Sequence, residues 1–202
     1  MRKIVLATKN EGKIREMKMA LSELPIEILT LKDFPSLLEV EEDGKDFFTN
    51  AYKKARTIAD FTGLPAIADD SGLLVDSLGG LPGARSARFA GEKATDEDNI
   101  QKLLKELEHV PDDKRGARFY CVIVYCEPGG QYVNFEGEWE GVISRDKKGK
   151  EGFGYDPVFF LPERGCTVAE LAPEEKNKYS HRGQALEALK NYLFTKMKGN
   201  GA

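Results

Sequence analysis

The amino-acid sequence predicts an α/β fold with a mixed sheet. Short apolar runs typical of strands are interspersed with longer segments in which apolar residues recur at helical spacing. In the middle of the chain several strand patterns follow one another, which favours a mixed sheet. The 202 residues suit one domain, or two lobes that share one core, and they contain no internal repeat or low-complexity tract.

Two strands and two helices are predicted in the first third of the chain. Residues 3–7 predict a buried strand, and after a polar loop the apolar residues of 14–21 recur at helical spacing. Residues 26–31 predict a second strand. An acidic loop at 39–46 then leads into a helix at 46–61, whose apolar residues share one face.

The central part of the chain begins with a strand and a polar turn. Residues 65–68 predict a short strand that ends at the polar segment 69–72. Residues 78–88 carry three glycines and a proline, which predicts a shaped loop. Thr95 predicts the start of a helix over 96–107, because a threonine followed three residues later by an acidic residue forms a capping box.

Strand patterns dominate the next part of the chain. Residues 117–125 and 131–135 predict two strands joined by the turn at 128–130. Residues 142–143 belong to another short strand. A helical tail follows, and Thr167 is its predicted cap.

Composition limits the possible partners of the protein. Hydrophobic residues make up 41% of the chain and charged residues 32%, which is ordinary for a globular protein and argues against disorder. The formal net charge is -4 at pH 7, so the chain has no overall attraction for nucleic acids or acidic membranes. We expect neither as a partner, and a bound phosphate would have to be held by a local cluster of charges.

The cysteines and the N-terminal residues indicate a cytoplasmic protein. Cys121, Cys126 and Cys166 are odd in number and lack the spacing of a disulfide framework or a zinc site. Free thiols point to a reducing compartment. The apolar stretch at 4–7 is too short for a signal peptide, and no segment approaches the roughly 20 apolar residues of a membrane-spanning helix.

A polar loop between the first strand and the first helix is a candidate phosphate-binding site. A helix N-terminus offers backbone N–H groups and a partial positive charge to an anion, and two lysines add full charges. The spacing of a Walker loop is absent, and an ordinary turn with solvated lysines remains the alternative. The loop consists of Thr8, Lys9, Asn10, Glu11, Gly12 and Lys13.

Two adjacent carboxylates, Asp69 and Asp70, follow an apolar strand and are a candidate magnesium site. Buried carboxylates need a cationic partner, and Mg2+ prefers oxygen ligands. The alternative is a polar turn in which the carboxylates cap backbone N–H groups. Because successive side chains of a strand point to opposite faces, only one of the two can face a given site. The acidic segment 41–43 could supply a second ligand, although a run of charge is usually solvated.

A glycine-flanked aromatic loop and the segment before the last helix are candidates for binding a nucleobase. Phe153 can stack on a base and Asp156 can hydrogen-bond its edge, which is how proteins read isolated bases. Lys176 and the run 180–182, which includes His181, precede the last helix. The alternatives are a tight turn whose aromatic side chains pack into the core, and a structural histidine.

Five motifs in a fixed order resemble those of one known family. They are Thr8-Lys9-Asn10-Glu11-Gly12-Lys13, Ala68-Asp69-Asp70-Ser71-Gly72-Leu73, Leu78-Gly79-Gly80-Leu81-Pro82-Gly83 with Ser86-Ala87-Arg88, Gly152-Phe153-Gly154-Tyr155-Asp156-Pro157, and Ser180-His181-Arg182. In this combination they resemble the inosine-triphosphate pyrophosphatase family, the house-cleaning dITP/XTP pyrophosphatases. The resemblance runs from about residue 3 to 195.

The resemblance implies an elongated, two-lobed α/β chain around a long curved mixed sheet, with the active cleft between the lobes. It implies a single nucleoside-triphosphate pyrophosphatase domain over residues 1–202, a homodimer and a requirement for Mg2+. The implied reaction is the hydrolysis of non-canonical purine nucleoside triphosphates, such as ITP, dITP and XTP, to the monophosphate and pyrophosphate. This reaction would cleanse the nucleotide pool.

The resemblance also assigns roles to individual residues. Asp70 matches the catalytic carboxylate, which also meets the metal, and Ser71 matches a substrate contact. Glu41 is the implied second metal ligand because it fits an E-x-x-G spacing that ends at Gly44, with Glu42 as the alternative. The other implied substrate-binding residues are Thr8, Lys9, Asn10, Glu11, Gly12 and Lys13 of the first loop, Phe153 (stacking), Gly154, Tyr155 and Asp156 of the base loop, and Lys176, His181 and Arg182 of the tail.

Base choice has a physical basis in this interpretation. Hypoxanthine and xanthine carry a carbonyl group where adenine carries an amino group, so hydrogen-bond donors from Arg182 or backbone amides would favour them. Two rival interpretations are a related pyrophosphatase for modified pyrimidines and a nucleotide-binding sensor without hydrolysis. The base loop and the tail argue against the first, and the presence of Asp70, Glu41 and Lys13 argues against the second.

Overall fold

The computed structural model describes residues 2–36 and 40–199 and contains seven strands and five α-helices in these ranges. Glu39, which the sequence places in the acidic loop, lies outside them. The strands are β1 (Arg2–Leu6), β2 (Ile26–Thr30), β3 (Ala66–Val75), β4 (Gly116–Cys126), β5 (Tyr132–Ile143), β6 (Phe159–Leu161) and β7 (Cys166–Thr167). The helices are α1 (Glu11–Ala20), α2 (Phe47–Thr62), α3 (Asp96–Glu106), α4 (Pro173–Tyr179) and α5 (His181–Gly199).

All seven strands join one sheet in the order β2-β1-β3-β4-β5-β6-β7. Strand β1 pairs in parallel with β2 on one side and with β3 on the other. Strand β6 pairs in antiparallel fashion with both β5 and β7. Parallel and antiparallel pairs therefore occur in one sheet, which confirms the mixed α/β sheet that the sequence predicts.

The chain forms two compact units, and strands β3, β4 and β5 contribute residues to both. The first unit consists of Met1–Asp70, Cys121–Gly137 and Arg182–Ala202, and the second of Ser71–Tyr120 and Glu138–His181. Each unit has a hydrophobic core of its own. Among the described residues, no helix is both long enough and apolar enough to cross a bilayer.

The core of the first unit lies between the sheet and the helices α1 and α5. Ile4 and Leu6 of β1 and Ile67 of β3 point into it and pack against Met17 of α1 and Leu189 of α5. Side chains alternate along a strand, so the residues between these face the other side of the sheet. That alternation also decides where the polar residues after Ile67 point.

The core of the second unit is built from later parts of the same long strands. Leu73 and Val75 of β3 pack with Leu103 of α3, and Phe119 of β4 stacks on Phe159 of β6 with ring centroids 4.2 Å apart. Helix α3 begins at the predicted capping box, in which the Thr95 side chain and the acidic residue three positions later exchange hydrogen bonds.

Strand β3 is longer than the sequence predicts. The polar segment 69–72 suggests an end after residue 68, because Asp, Ser and Gly favour turns. Instead the strand runs without interruption from Ala66 to Val75. No turn is needed, because Asp69 and Asp70 are each satisfied by side chains of the helices on either face of the sheet.

Strand β5 is one element where the sequence predicts two, at 131–135 and 142–143. Its charged middle segment suggests a break, but Glu136, Glu138 and Glu140 are exposed and alternate with more buried residues. This is the pattern of a strand with one face in solvent.

The predicted helical tail is divided. Thr167 caps a short turn at Val168–Glu170 instead of a long helix. Pro173 stands in the first turn of α4, where a missing N–H is tolerated. Ser180, in an extended conformation, then separates α4 from α5. The apolar face that the sequence predicts for the tail belongs to α5, which packs in the first core.

The three cysteines are free thiols. Cys121 and Cys126 are buried and Cys166 is half-buried. Burial raises the pKa of Cys121 to about 12, so this thiol stays protonated at neutral pH.

Candidate functional site

Strand β3 carries two adjacent buried carboxylates in the first unit. Asp69 is 0% exposed and Asp70 is 4% exposed. Because side chains alternate along a strand, the two carboxylates point to opposite faces of the sheet. Asp69 and Asp70 therefore contact different helices, as the sequence predicts for adjacent residues of one strand.

On one face Asp69 is held by two cations. Its Oδ2 atom lies 2.9 Å from Nζ of Lys13 in α1 and 3.1 Å from Nε of Arg182 in α5. Arg182 also pairs with Glu16 of α1, so the charges alternate in sign along four side chains. Burial alone would raise the pKa of Asp69, but the charges of Lys13 and Arg182 hold it well below its usual range.

On the other face Asp70 meets a neutral amide. Nδ2 of Asn50 in α2 donates a hydrogen bond to Oδ2 of Asp70 over 2.9 Å. Burial raises the pKa of Asp70 to about 6, and the charge of Glu42 acts in the same direction. The charges of Lys54 and Lys13 oppose this shift without cancelling it. Asp70 is therefore a carboxylate that exchanges protons near neutral pH.

A buried lysine of α2 connects the acidic loop to the same strand. Nζ of Lys54 lies 2.6 Å from Oε1 of Glu42 and donates to the backbone oxygen of Asp69 over 2.7 Å. Burial would lower the pKa of Lys54, but the charges of Asp69, Glu42 and Asp70 raise it. The ammonium group therefore remains charged inside the protein.

Asp70 and Glu42 are the residues that could hold a metal ion. Carboxylate oxygens are the ligands that Mg2+ prefers. Burial and the charge of Glu42 raise the pKa of Asp70, and a divalent cation beside them would relieve both effects. In residues 2–36 and 40–199 no three His, Cys, Asp or Glu side chains converge. Waters and substrate phosphates would complete the shell, as is usual for Mg2+.

The structure favours Glu42 over Glu41 for this role. Glu41 is exposed, whereas Glu42 is half-buried. Glu42 pairs with Lys54 and acts on the pKa of Asp70. The E-x-x-G spacing alone does not separate the two residues, because the conformation of the loop decides which carboxylate turns inward.

The predicted phosphate loop is an ordered N-terminus of α1. Oδ1 of Asn10 accepts the N–H of Lys13 over 3.0 Å, and the N–H of Asn10 donates to Oγ1 of Thr8 over 3.2 Å. Glu11 is exposed and pairs with a lysine that follows β2. Asn10 is thus a helix cap, and Lys13 reaches inward to Asp69. The remaining loop residues are Lys9, which is exposed, and Gly12, which is buried.

In the second unit the predicted base loop is braced from within. Oδ2 of Asp156 accepts the N–H of Phe153 over 2.9 Å and lies 2.6 Å from Nζ of Lys176. The same Nζ lies 4.3 Å from the centre of the Phe153 ring. At Gly152 φ is +81°, and an added Cβ would lie 2.0 Å from Oδ2 of Asp156, so only glycine fits. Asp156 and Lys176 therefore fix the position of the Phe153 ring.

Two other base-loop residues are anchored by their neighbours. The Tyr155 hydroxyl donates to the backbone oxygen of Ser86 over 2.9 Å, and its ring packs in the second core. The N–H of Gly154 donates to Oδ2 of Asp96 at the start of α3, over 2.7 Å.

His181 and Ser71 are the remaining predicted residues. His181 begins α5, is buried, and stacks on Phe119 with ring centroids 4.8 Å apart. Ser71 follows Asp70 within β3 and is half-buried.

Three residues that bond Asp69, Asp70 or Arg182 were not predicted from the sequence. Asn50 and Lys54 stand four residues apart on the buried face of α2. Polar side chains in an otherwise apolar helical stripe were the available signal. Glu16 carries no such signal, because a glutamate in an amphipathic helix is ordinary and its burial against Arg182 is not visible in the sequence.

These features define an α/β protein with a buried, charged site of the kind that holds anionic ligands. The family model described as "Ham1 family" matches residues 4–192. The chain therefore belongs to the Ham1 family.

Similar proteins share nearly the whole chain. A "dITP/XTP pyrophosphatase" from Geobacter sulfurreducens is 55% identical over 193 residues, which cover 96% of this chain and 97% of that protein. A protein of the same name from Shigella flexneri is 53% identical over 195 residues, with coverage of 96% and 98%. The structure of a HAM1 protein from Coxiella burnetii is 47% identical, with a TM-score of 0.89 and coverage of 96% and 100%. These matches confirm the family and the fold class predicted from the motifs.

The two aspartates should respond to neutralisation with opposite changes in stability. The folded-state pKa of Asp70, about 6, exceeds the unfolded value of ~3.9. Asp70 therefore favours folding below pH 4 and loses that contribution as the pH rises through 6. Asp70→Asn should raise the free energy of unfolding at pH 7.5 by about 2–3 kcal/mol relative to wild type. The gain should vanish near pH 3.5.

Asp69→Asn is the matched comparison. It leaves Lys13 and Arg182 buried without their carboxylate, so it should lower the free energy of unfolding by about 3–5 kcal/mol at pH 7.5. Urea unfolding of both variants measures the two changes. An Asp70→Asn variant less stable than wild type at pH 7.5 would contradict the assignment.

Proposed function

We propose that this protein hydrolyses the non-canonical purine nucleoside triphosphates dITP, ITP and XTP to the monophosphate and pyrophosphate. The two similar proteins named dITP/XTP pyrophosphatase, at 55% and 53% identity over nearly the full length, support this activity. The observation that carries it is Asp70, a buried carboxylate whose pKa is raised to about 6, with Glu42 and Lys54 beside it. Such a group suits general-base chemistry at neutral pH.

The N-terminus of α1 and two lysines are the proposed phosphate-binding groups. The loop 8–13 presents backbone N–H groups at the positive end of the helix dipole. The ammonium group of Lys13 has three N–H donors, so it can bind a phosphate oxygen and keep its contact with Asp69. Lys54 is a second fixed positive charge in the same unit. These charges suit a triphosphate, which carries several negative charges.

Asp70 and Glu42 are the proposed ligands of Mg2+, with Glu42 preferred to Glu41. When bound there, Mg2+ would neutralise phosphate charge and lower the pKa of a coordinated water. The support is the donor set itself: two oxygen ligands, one of them with a pKa raised by burial and by the other's charge.

Asp70 is also the proposed general base. Its carboxylate would accept a proton from the water that attacks the α-phosphorus, which lies between the nucleoside and the two outer phosphates. The P–O bond to pyrophosphate breaks, and the monophosphate leaves with the new oxygen. Lys13 and Lys54 stabilise the negative charge that develops on the phosphate oxygens. Asp69, already paired with Lys13 and Arg182, keeps these cations in place.

The base loop and the start of α5 supply the proposed base-recognition groups. The ring of Phe153 would stack on the purine, and the brace formed by Asp156 and Lys176 holds that ring ready. His181 and Arg182 are the proposed tail contacts. In this proposal Asp156 acts by fixing the loop, because its carboxylate already bonds Phe153 and Lys176.

Substrate choice tests the proposed function. Pyrophosphate release with Mg2+ should show kcat/KM for dITP, ITP and XTP at least ~10²-fold above the values for ATP and GTP, because a site built to bond a substrate group discriminates strongly. Modified pyrimidine triphosphates belong in the same panel. Comparable kcat/KM for ATP and ITP would refute the proposal, and binding without pyrophosphate release would identify a sensor.

Neutralising Asp70 should remove catalysis and leave substrate binding largely intact. Asp70→Asn keeps the shape but loses the charge that accepts a proton and meets the metal. The expected loss is ~10²–10⁴-fold in kcat, with a smaller change in KM. Asp69→Asn, assayed below its melting temperature and at saturating Mg2+, should lose less. Near-full kcat in Asp70→Asn, together with a larger loss in Asp69→Asn, would reverse the assignment.

We also propose that the protein is a homodimer, as the family resemblance implies. The glycine-rich loop at 78–88, which contains the exposed Leu81, gives this proposal modest support. Sedimentation equilibrium at micromolar concentration should give twice the 22.5 kDa of one chain. A stable monomer at that concentration would refute it.

A cytoplasmic location is the last part of the proposal. Three free cysteines, two of them buried, are typical of proteins from reducing compartments. Cell fractionation would test this, and recovery outside the cytoplasm would contradict it.

A further inference from the structure

The amide of Asn50 forms hydrogen bonds in two directions. Its Oδ1 atom accepts the N–H of Gly44 over 2.8 Å, and its Nδ2 atom donates to Oδ2 of Asp70 over 2.9 Å. The residue is 0% exposed, so neither bond competes with bulk water. One buried amide therefore joins the acidic loop, which carries Glu42, to the carboxylate of β3.

Gly44 provides independent evidence that the loop is seated on this amide. A Cβ added at Gly44 would lie 2.5 Å from Oδ1 and 3.1 Å from Cγ of Asn50. It would also lie 3.0 Å from Cγ2 of Thr49. The contact between loop and helix thus depends on the absence of a side chain at position 44.

Two ion pairs between the loop and α2 cannot serve in the same way. Lys53 pairs with Asp43 over 2.6 Å, but both side chains are exposed, and exposed ion pairs contribute little. Lys54 pairs with Glu42 itself, so its charge competes with any cation for that carboxylate. Asn50 is neutral, and it can orient a carboxylate without cancelling its charge.

We propose that Asn50 is a positioning residue that holds the Glu42 loop against Asp70, so that the two carboxylates bind one divalent cation together. The inference rests on the proposed function, because it assumes that Asp70 and Glu42 are the metal ligands. Hydrogen-bonding partners behind metal ligands typically change metal affinity or activity by ~10–100-fold when they are replaced.

Three variants separate this role from a general effect on folding. Asn50→Leu removes both hydrogen bonds at similar volume. Gly44→Ala keeps the Asn50 amide but crowds it from the loop side, so it tests the proposal even if the first variant does not fold. Asn99→Leu is the matched control, because Asn99 is a buried amide of α3 that likewise accepts a backbone N–H, from Ala90, and donates to a backbone oxygen, of Ala87.

The primary measurement is Mn2+ binding to the nucleotide-free protein, followed by electron paramagnetic resonance. Asn50→Leu should raise the Mn2+ dissociation constant at least ~10-fold, and Gly44→Ala should raise it by a smaller factor. Asn99→Leu should lower the melting temperature but leave the Mn2+ dissociation constant within about twofold of wild type, because the amide bonds Ala87 and Ala90 and neither proposed ligand.

The second measurement is the Mg2+ concentration for half-maximal hydrolysis of dITP. It should rise with the Mn2+ dissociation constant, while kcat at saturating Mg2+ recovers to within a few-fold of wild type. Unchanged Mn2+ binding in Asn50→Leu, an equal loss in Asn99→Leu, or a wild type that binds no Mn2+ would overturn the inference. A wild type that binds Mn2+ but releases no pyrophosphate from dITP would refute the proposed function alone.

Discussion

The alternation of side chains along β3 is the constraint on which the rest of the site depends. Two adjacent carboxylates in a strand cannot share one face of the sheet. Asp69 therefore faces α1 and α5, where Lys13 and Arg182 neutralise it, and Asp70 faces the amide of Asn50. A shift of β3 by one residue would exchange the environments of Asp69 and Asp70. The register of β3 with β1 therefore decides which aspartate has the raised pKa.

The environments of Asp69 and Asp70 show that one aspartate contributes to stability and the other suits chemistry. A buried charge is unfavourable unless it is paired, and the paired group is Asp69, whose ion pairs connect three elements of the first unit. Asp70 accepts a hydrogen bond from a neutral donor, and burial, together with the like charge of Glu42, raises its pKa. Such an arrangement opposes folding at neutral pH, and it is typical of functional sites, where chemistry requires groups that the fold alone would not favour.

Most of the first unit could be predicted from the sequence because local signals and tertiary contacts agree there. β1, the polar loop, α1 and α2 follow directly from apolar spacing. The full length of β5 could not, because exposed glutamates interrupt its apolar pattern, and that of β3 could not, because its polar residues are satisfied by partners distant in sequence. The same reason explains the site: Asn50 and Lys54 matter only through contacts with Asp70 and Glu42.

The pKa of Asp70 tests the central claim most directly. Side-chain carboxyl carbons can be followed by NMR as the metal-free protein is titrated, with assignment by the Asp69→Asn and Asp70→Asn variants. The account predicts that Asp70 titrates near pH 6 and that Asp69 remains ionised throughout the range in which ordinary carboxyls titrate. An ordinary midpoint near 4 for Asp70, or an exchange of the two behaviours, would contradict it.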